Sequence, residues 1–293
     1  RRLDWACIQA ATLDLNSQTP ETTKPTVLEQ RIETLAESTT SRDSLLLANY
    51  KTALQNFENN PSATNTIWLG RRIAYTGEYA AAISVFTKGI AAFPEEARLY
   101  RHRGHRYITT RKLDKAIADF EKSAQLIKGK EDRVEPDGVP NRLNTPVSSL
   151  HTNIWYHLGL AYYLVHDWEN ALSAYQTGQN LGINDDNIVS TGHWIYMILR
   201  RMGREEEATA SLSNISKDMD VIENHAYHNL VLFYKGEISE DEMLNPEQGS
   251  SQGAGVGYGI ANWYLYNGDA KKAYALMEET TQANADGGYG YGW

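Results

Sequence analysis

The amino-acid sequence predicts an all-α fold in which antiparallel helix pairs stack on one another. A segment repeats without gaps, small and aromatic residues recur at fixed positions within it, and glycines follow at regular intervals where helices must turn. A repeat with a period of about 34 residues indicates an architecture of stacked supersecondary units. Each unit buries its apolar face against its neighbours, so the chain of 293 residues does not need one central core.

The clearest self-similarity relates three segments that contain Gly70, Gly104 and Gly159. Gly104 follows Gly70 after one period, and Gly159 follows Gly104 after one further period plus an insertion. The small residues are expected to let helices approach closely, and aromatic residues to fill the space between stacked pairs. A further small residue and an aromatic residue keep their offsets in the three copies: Ala82 with Phe86, Ala116 with Phe120, and Ala171 with Tyr175.

Glycine also marks the expected ends of helices, because it favours the position that follows a helix C-terminus. Gly77 lies where the first helix of the first copy must turn. In the weaker C-terminal copies the turn glycines are Gly203, Gly236 and Gly268, which follow one another at nearly equal steps. This near-regular step predicts that the stack of helix pairs continues to about residue 283.

These residues resemble the pattern of the tetratricopeptide (TPR) family. The resemblance covers roughly residues 63–283 and implies a right-handed α-solenoid of about six helix pairs, plus an N-terminal capping helix pair. The third copy is the closest to the pattern, whereas the first has Ile73 at the usual Tyr position and the second has Arg103 at the usual Leu position. The matching residues are Trp155, Leu158, Gly159, Tyr162, Ala171 and Tyr175 in the third copy, Leu69, Gly70, Gly77, Ala82, Phe86 and Pro94 in the first, and Gly104, Tyr107, Ala116 and Phe120 in the second.

A second likeness, to bacterial TPR proteins, is carried by two strings and brings no known activity with it. They are Arg101-His102-Arg103-Gly104-His105-Arg106 and Glu223-Asn224-His225.

The chain divides into four predicted segments. Residues 1–26 are rich in Thr, Ser, Gln and Pro and are expected to form an extended arm, and residues 27–62 a capping helix pair. The repeats occupy residues 63–283, and residues 284–293 form a Gly/aromatic tail. A terminal cap is expected because a stack of repeats leaves an apolar edge at each end.

Two stretches interrupt the repeats. The inserted loop 129–150 carries several Pro and Gly residues and is either a solvated insertion or a flap that reaches over a groove through Glu135 and Asp137. Residues 247–257 are rich in Gln, Gly and Ser and are interpreted as a flexible connector.

Composition excludes several classes of function. The net charge of −9 argues against general nucleic-acid binding, which needs a basic surface. The single cysteine, Cys7, excludes an intrachain disulfide and a Cys-based zinc site. No stretch reaches the roughly 18 apolar residues of a membrane-spanning helix. Catalytic and nucleotide-binding motifs are absent, so neither enzymatic activity nor a cofactor is expected.

Location is predicted from the N-terminal residues. The chain starts without Met, and Cys7 lies near its start and is followed by a Thr- and Pro-rich stretch. This arrangement favours an extracytoplasmic protein, either periplasmic or anchored as a lipoprotein through Cys7. The residues Asp4, Trp5 and Ala6 before the cysteine are a poor lipidation signal.

The family resemblance implies that the first helix of each pair lines the concave face. Arg side chains there can hold a carboxylate or phosphate through paired hydrogen bonds, and Tyr adds apolar contact with a polar tip. We therefore expect a groove for a peptide or chain terminus that carries an acidic group, with the alternative that these arginines only solvate a helix face. The candidate groove residues are Arg71, Tyr75, Arg98, Arg101, His105, Asn153, Tyr156, Tyr163, His193, Met197, Arg200, Tyr234 and Asn262.

Histidine offers a second kind of site. His102 and His105 are three residues apart, as are His225 and His228, so each pair lies on one helical face as a metal site requires. Structural histidines are the alternative, and no metal ligand set is predicted.

Three functions are consistent with the sequence. The leading hypothesis is a scaffold that binds a protein or peptide in its groove. A structural subunit of a larger assembly is the first alternative, and a metal-dependent enzyme built on the groove histidines is the second.

Overall fold

A computed structural model describes residues 26–243 and 250–283 of the chain. The predicted arm up to residue 25, Cys7 and the tail 284–293 lie outside the described residues. The described part is all-α, and its single β-feature is an isolated antiparallel bridge between Val134 and Ser149. Among the described helices, none combines the length and the apolar character that crossing a membrane requires.

Fourteen helices within the described residues form seven consecutive pairs, which confirms the prediction of an all-α fold with about six pairs and an N-terminal pair. Most helices of a pair are joined by short turns. The helices are α1 (Val27–Glu37), α2 (Ser41–Asn59), α3 (Ala63–Tyr75), α4 (Tyr79–Ala92), α5 (Ala97–Thr109), α6 (Leu113–Ile127), α7 (Leu150–Leu164), α8 (Trp168–Asn180), α9 (Asp185–Arg201), α10 (Glu205–Ser211), α11 (His225–Tyr234), α12 (Glu240–Met243), α13 (Ser250–Tyr266) and α14 (Ala270–Ala283).

The described residues form two compact units, which are divided between residues 106 and 107. The core of the first unit is built from apolar side chains of α2 to α5, including Phe57, Leu69, Phe86 and Leu99. Helix α1 begins with a capping box at Thr26, and its Arg31 Nε donates a 3.0 Å hydrogen bond to the Thr76 carbonyl at the end of α3. These contacts fix α1 on the first unit, while its role as a solenoid cap stays a prediction.

The second unit has a larger core, in which the first helices of successive pairs meet. Helix α9 contacts α7, α8, α10, α11 and α13, and α11 also contacts α13. Nearly every residue of α9 from Val189 to Leu199 is buried. Because other helices enclose α9 on all sides, and even its polar residues Ser190, Thr191 and His193 are buried, α9 lies at the centre of this unit.

Glycines allow the close approach of the two helices within a pair, as the sequence predicts. A Cβ added to Gly159 on α7 would lie 2.7 Å from the ring of Tyr175 on α8, and one on Gly70 of α3 would collide with the Phe86 ring of α4. Both rings are buried, with 0% and 1% of their surface exposed. Each ring therefore occupies the space that a side chain on the facing helix would need.

The predicted turn glycines are also confirmed, since all four have φ between 73° and 94°. Two non-glycine residues adopt the same left-handed backbone in the second and third copies: Arg111 with φ 58° and His166 with φ 62°. Arg111 follows Gly77 by the same offset as Gly104 follows Gly70, and His166 follows Arg111 by the same offset as Gly159 follows Gly104. For a non-glycine residue, the left-handed backbone conformation costs about 1 kcal/mol relative to the right-handed one. Glycine would therefore be less strained at both positions.

Hydrogen bonds tie the insertion between α6 and α7 to the second unit at both of its ends. Asp132 accepts from the Ser149 hydroxyl at 2.5 Å and from the His151 amide at 3.0 Å. The Val147 carbonyl accepts from the side chains of Asn184 and Asn187 at 2.9 and 3.1 Å. The base of the insertion is therefore fixed to the N-terminal ends of α7 and α9.

The prediction of a flexible connector over residues 247–257 is wrong from Ser250 onwards, because helix α13 begins there. Its glycines serve close packing. A Cβ on Gly259 would lie 2.6 Å from Leu230 of α11, and one on Gly257 would collide with Thr280 of α14.

Substitution of Gly159 tests the role of the close approach. We expect Gly159→Ala to lower the free energy of unfolding by about 1–3 kcal/mol, because the new methyl group overlaps the enclosed Tyr175 ring. Urea denaturation followed by circular dichroism measures the change. Gly255→Ala is the matched control, since a Cβ there meets no atom within 4 Å. Equal stability of the two variants would contradict this account.

Candidate binding site

A cavity of about 840 Å³ lies in the second unit. Helices α7, α9 and α13 contribute most of its walls, together with the start of α11 and the end of the insertion. Arg111, Gly178 of α8 and two threonines of α14 also line it. Each of the helices α7, α9 and α13 is the first of its pair. The cavity is therefore lined mainly by the first helices of the pairs.

Hydrogen-bonded aromatic side chains connect the walls of this cavity. Trp194 Nε1 on α9 donates to the Tyr156 hydroxyl of α7 at 2.9 Å, and that hydroxyl shares a 3.0 Å bond with the Tyr227 hydroxyl of α11. The Tyr163 hydroxyl of α7 lies 2.9 Å from the Tyr258 hydroxyl of α13. These bonds link four helices through five rings. The aromatic wall is therefore preformed.

His193 of α9 lines the cavity from a fully buried position, with 1% of its surface exposed. Its Nδ1 lies 3.2 Å from the Tyr234 hydroxyl, and its ring packs 4.9 Å from Tyr227 and 5.2 Å from Trp194 between centroids. Burial lowers the pKa of His193 to about 3, because the imidazolium form would lose its hydration. The side chain is thus a neutral part of the aromatic wall at neutral pH.

The insertion contributes directly to the cavity region. Asn153 of α7 donates through Nδ2 to Glu135 Oε2 at 2.7 Å and to the Ser148 hydroxyl at 3.0 Å. Its carbonyl accepts from His157 Nδ1 at 2.7 Å, so His157 carries a proton on Nδ1. Glu135 is only 5% exposed. These contacts favour the flap interpretation of the insertion over a freely solvated one.

Two exposed charged side chains, Arg111 and Glu223, lie at the rim of the cavity. Within the described part of the chain, the Arg111 guanidinium has no hydrogen bond or ion pair, and Glu223 accepts only from the neutral amide of Asn141 in the insertion. Partial burial raises the pKa of Glu223, and the carboxylates of Asp137 and Asp186 act in the same direction. The two rim charges therefore lack opposite charges among the described residues.

Asp186 fixes the backbone that carries Glu223. This fully buried carboxylate at the start of α9 accepts from the backbone amides of Ile222, Glu223 and Asn224 at 2.7–2.8 Å. Three such bonds satisfy a buried negative charge without a counter-ion. The acidic rim is therefore held in place by α9.

The structure brings together some of the predicted groove residues of the second unit and leaves others elsewhere. Asn153, Tyr156, Tyr163 and His193 line the cavity. The remaining four do not line it. Met197 and Asn262 are fully buried, Tyr234 lies behind His193, and Arg200 binds the Tyr266 carbonyl and the Asn267 side chain.

The predicted groove residues of the first unit are Arg71, Tyr75, Arg98, Arg101 and His105, and the groove that they were predicted to form stays a prediction. Several are engaged within that unit. Arg71 lies 4.4 Å over the Trp68 ring and 3.4 Å from the Tyr75 hydroxyl. Arg98 forms a 2.7 Å ion pair with Glu96, and buried Arg101 lies 2.9 Å from His102 Nδ1.

Arg111, Trp194, Tyr227 and Glu223 line the cavity but are not among the predicted groove residues. One signal for Arg111 was present, since it replaces glycine at the turn offset of the repeat. Trp194 follows a predicted groove residue directly. The positions of Tyr227 and Glu223 depend on the hydrogen bonds that hold the segment before α11, and the repeat pattern does not encode these bonds.

The histidine pairs are not part of a recognisable metal site. Within residues 26–243 and 250–283, no group of three or more His, Cys, Asp or Glu side chains is placed to hold a metal ion. His228 Nε2 lies 2.7 Å from the Ser216 carbonyl. The His102 ring stacks on Phe86 at 5.9 Å. Both contacts favour the structural interpretation of these histidines.

No protein-family model and no curated protein matches the sequence. Solved structures to which the chain is similar include YrrB, a TPR protein with an unusual peptide-binding site, at 17% identity over 80% of this chain and 93% of YrrB, with a TM-score of 0.45. MamA is 14% identical over 76% of this chain and 92% of its own, with a TM-score of 0.43. A putative kinesin light chain of Podosopora anserina with TPR-like repeats is 14% identical over 76% and 94%, with a TM-score of 0.45. At this level of likeness, function has to be argued from the site itself.

Asp186 offers a test of how the rim is held. We expect Asp186→Asn to lower the free energy of unfolding by about 2–3 kcal/mol, because an amide nitrogen then faces backbone N–H donors in a buried place. Chemical denaturation measures this loss. Asp218→Asn, at an exposed position, makes the same change of charge and is expected to be neutral. A neutral Asp186→Asn variant would show that the carboxylate does not hold the segment.

Protonation of His193 predicts a pH dependence of stability. Its folded pKa of about 3 lies below the ordinary 6.5, so between these values the unfolded chain binds a proton that the folded chain excludes. Stability therefore falls as the pH decreases below 6.5, by about 2 kcal/mol between pH 7.5 and pH 5 from this group. Urea titrations of the wild type and of His193→Gln measure it. The variant is expected to lack this part of the slope, and identical slopes would contradict the assignment.

Proposed function

We propose that the chain binds a peptide segment in the cavity of the second unit, with an acidic group of the peptide at Arg111. The observation that carries this proposal is a preformed aromatic cavity with an exposed arginine at its rim that has no partner among the described residues. The cavity volume of about 840 Å³ lies within the range of ligand sites, which is roughly 300–1,000 Å³.

The lining suits a peptide. The rings of Tyr156, Tyr163 and Trp194 offer apolar surface to side chains. Asn224 lies at the same cavity, and its side-chain oxygen can accept from a peptide amide; the Ser190 hydroxyl donates to the Asp186 carbonyl, and its oxygen can still accept. Since the rings are already held by hydrogen bonds, little side-chain entropy is lost on binding.

Arg111 supports an acidic group in the ligand. It adopts a left-handed backbone where the other copies of the turn largely use glycine, and it keeps a long charged side chain at the cavity rim. Backbone strain of this kind is concentrated at functional positions. A guanidinium forms paired hydrogen bonds with a carboxylate, which gives the ligand a fixed place. The sequence also predicted a ligand with an acidic group, but Arg111 was not among the arginines predicted to hold it.

The scaffold function follows from this proposal, because a protein that holds a peptide of another chain brings the two proteins together. Within the described residues, no feature favours the structural-subunit alternative or the enzymatic one over peptide binding.

A cavity-filling variant tests the proposal. Ala226 lines the cavity, so the indole ring of Ala226→Trp is expected to occupy part of it and to weaken peptide binding at least tenfold. A phage-displayed library of random heptapeptides is selected on the full chain, and synthetic copies of the recovered peptides are measured by fluorescence anisotropy.

Ala210→Trp is the matched control, because Ala210 is exposed on α10 and does not line the cavity. It should bind the peptides as the wild type does. Arg111→Gln should weaken binding of peptides that contain Asp or Glu and leave their Asn or Gln analogues unaffected. Recovered peptides that bind Ala226→Trp and the wild type equally would refute binding in this cavity.

A further inference from the structure

We infer that Glu223 at the cavity rim selects a basic side chain, so that a Lys or Arg of the bound peptide pairs with its carboxylate. This inference rests on the proposed function and adds to it the charge pattern of the ligand.

The Glu223 side chain lies at the cavity rim and is exposed to an incoming ligand. Its hydrogen bond from Asn141 satisfies one oxygen with a neutral donor, and among the described residues no Lys, Arg or His pairs with it. A carboxylate has about four acceptor sites, so a second, charged donor can be accommodated without breaking the bond to Asn141.

The electrostatic surroundings of Glu223 favour a cation. Asp137 of the insertion and Asp186 of α9 are the carboxylates that act on it, and partial burial removes some of its hydration. Partial burial and the two carboxylates together raise the pKa of Glu223, although its hydrogen bond from Asn141 acts in the opposite direction. A bound ammonium or guanidinium group would offset the burial and the two carboxylates, because it supplies the opposite charge at the position where it is missing.

The net charge of the second unit also favours a basic ligand, and it acts over a longer range than the contacts at the rim. Residues 107–293 contain 15 Lys and Arg against 26 Asp and Glu, a net charge of −11, whereas residues 1–106 contain 13 against 11, a net charge of +2. An excess of negative charge attracts cationic ligands and raises their association rate. A basic peptide is therefore favoured both at a distance and at the rim.

Aromatic rings in the same cavity add a second attraction for a cation. Tyr227 lies on the first turn of α11, four residues after Glu223, and Tyr156 shares a hydrogen bond with it. The faces of such rings attract ammonium and guanidinium groups, most strongly where water is partly excluded. The stem of a Lys or Arg side chain can pack on the rings while its charged end reaches Glu223.

Arg111 and Glu223 together favour one orientation of a bound peptide. They line one cavity but do not pair with each other. A peptide with an acidic and a basic residue can satisfy both charges in one orientation, and the reversed orientation places like charges together. Such repulsion excludes wrong ligands more effectively than it strengthens the correct one.

The test uses Glu223→Gln, which removes the charge and keeps an oxygen that accepts from Asn141. Heptapeptides selected on the full wild-type chain are expected to be enriched in Lys and Arg. For the tightest such peptide, replacing its basic residue by norleucine should weaken binding at least tenfold in the wild type and less than twofold in Glu223→Gln. Raising the salt concentration should weaken binding more in the wild type than in the variant.

Glu206→Gln is the matched control, because Glu206 is exposed on α10 away from the cavity and the substitution changes the net charge equally. In this variant, replacing the basic residue of the peptide by norleucine should still weaken binding at least tenfold. If Ala226→Trp abolishes binding but the norleucine effect is the same in the wild type and Glu223→Gln, the inference fails and cavity binding stands. If no selected peptide depends on Ala226, the proposed function fails, and the inference fails with it.

Discussion

In the first and third copies, the two helices of a pair approach closely where an aromatic ring of the second helix lies against a glycine of the first. In the third copy this contact has an effect beyond its own pair. The Tyr175 ring rests on Gly159, meets the Tyr156 ring edge-on at 5.5 Å and stacks on Trp194 at 5.8 Å. Because Tyr156 and Trp194 form part of the cavity wall, the spacing of α7 and α8 sets the position of groups that a ligand would contact. The buried Tyr175 ring thus contributes both to the packing of the helix pair and to the shape of the cavity wall.

The cavity is shaped by polar anchors as much as by apolar contacts. Asp186 accepts hydrogen bonds from three successive backbone amides. At the two ends of the insertion, Asp132 accepts from the His151 amide and Asn187 donates to the Val147 carbonyl. Buried polar groups that are fully bonded specify a single arrangement, because every alternative leaves some of them without partners. The rim charges can therefore remain exposed to solvent while the backbone beneath them is fixed. Binding to such a rim does not require the protein to order itself first.

The repeat made the fold predictable, and the same property limited the prediction of the site. Glycine turns and small-to-aromatic contacts are local and recur at fixed offsets, so Gly77, Gly159 and Tyr175 could be interpreted from the sequence alone. Met197 shares the helical face expected for a groove, but α9 is enclosed by five other helices and the side chain became core. The rim combines residues that are far apart in the sequence, and Glu223 reaches it through contacts to Asp186 and Asn141 that no repeat pattern contains. Gly257, which belonged to the predicted connector, instead allows α13 to approach α14.

The insertion between α6 and α7 is a suitable place to add a label. Its two ends are fastened to the N-terminal ends of α7 and α9, whereas Val139 and Leu143 near its tip are 78% and 60% exposed. Lengthening a loop whose ends are already fixed costs little, about 0.6 kcal/mol for each doubling of its length. A fluorophore or short epitope spliced in beside Leu143 would sit close to the cavity rim without disturbing the helices. The native chain could in this way be converted into an optical sensor of its own ligand.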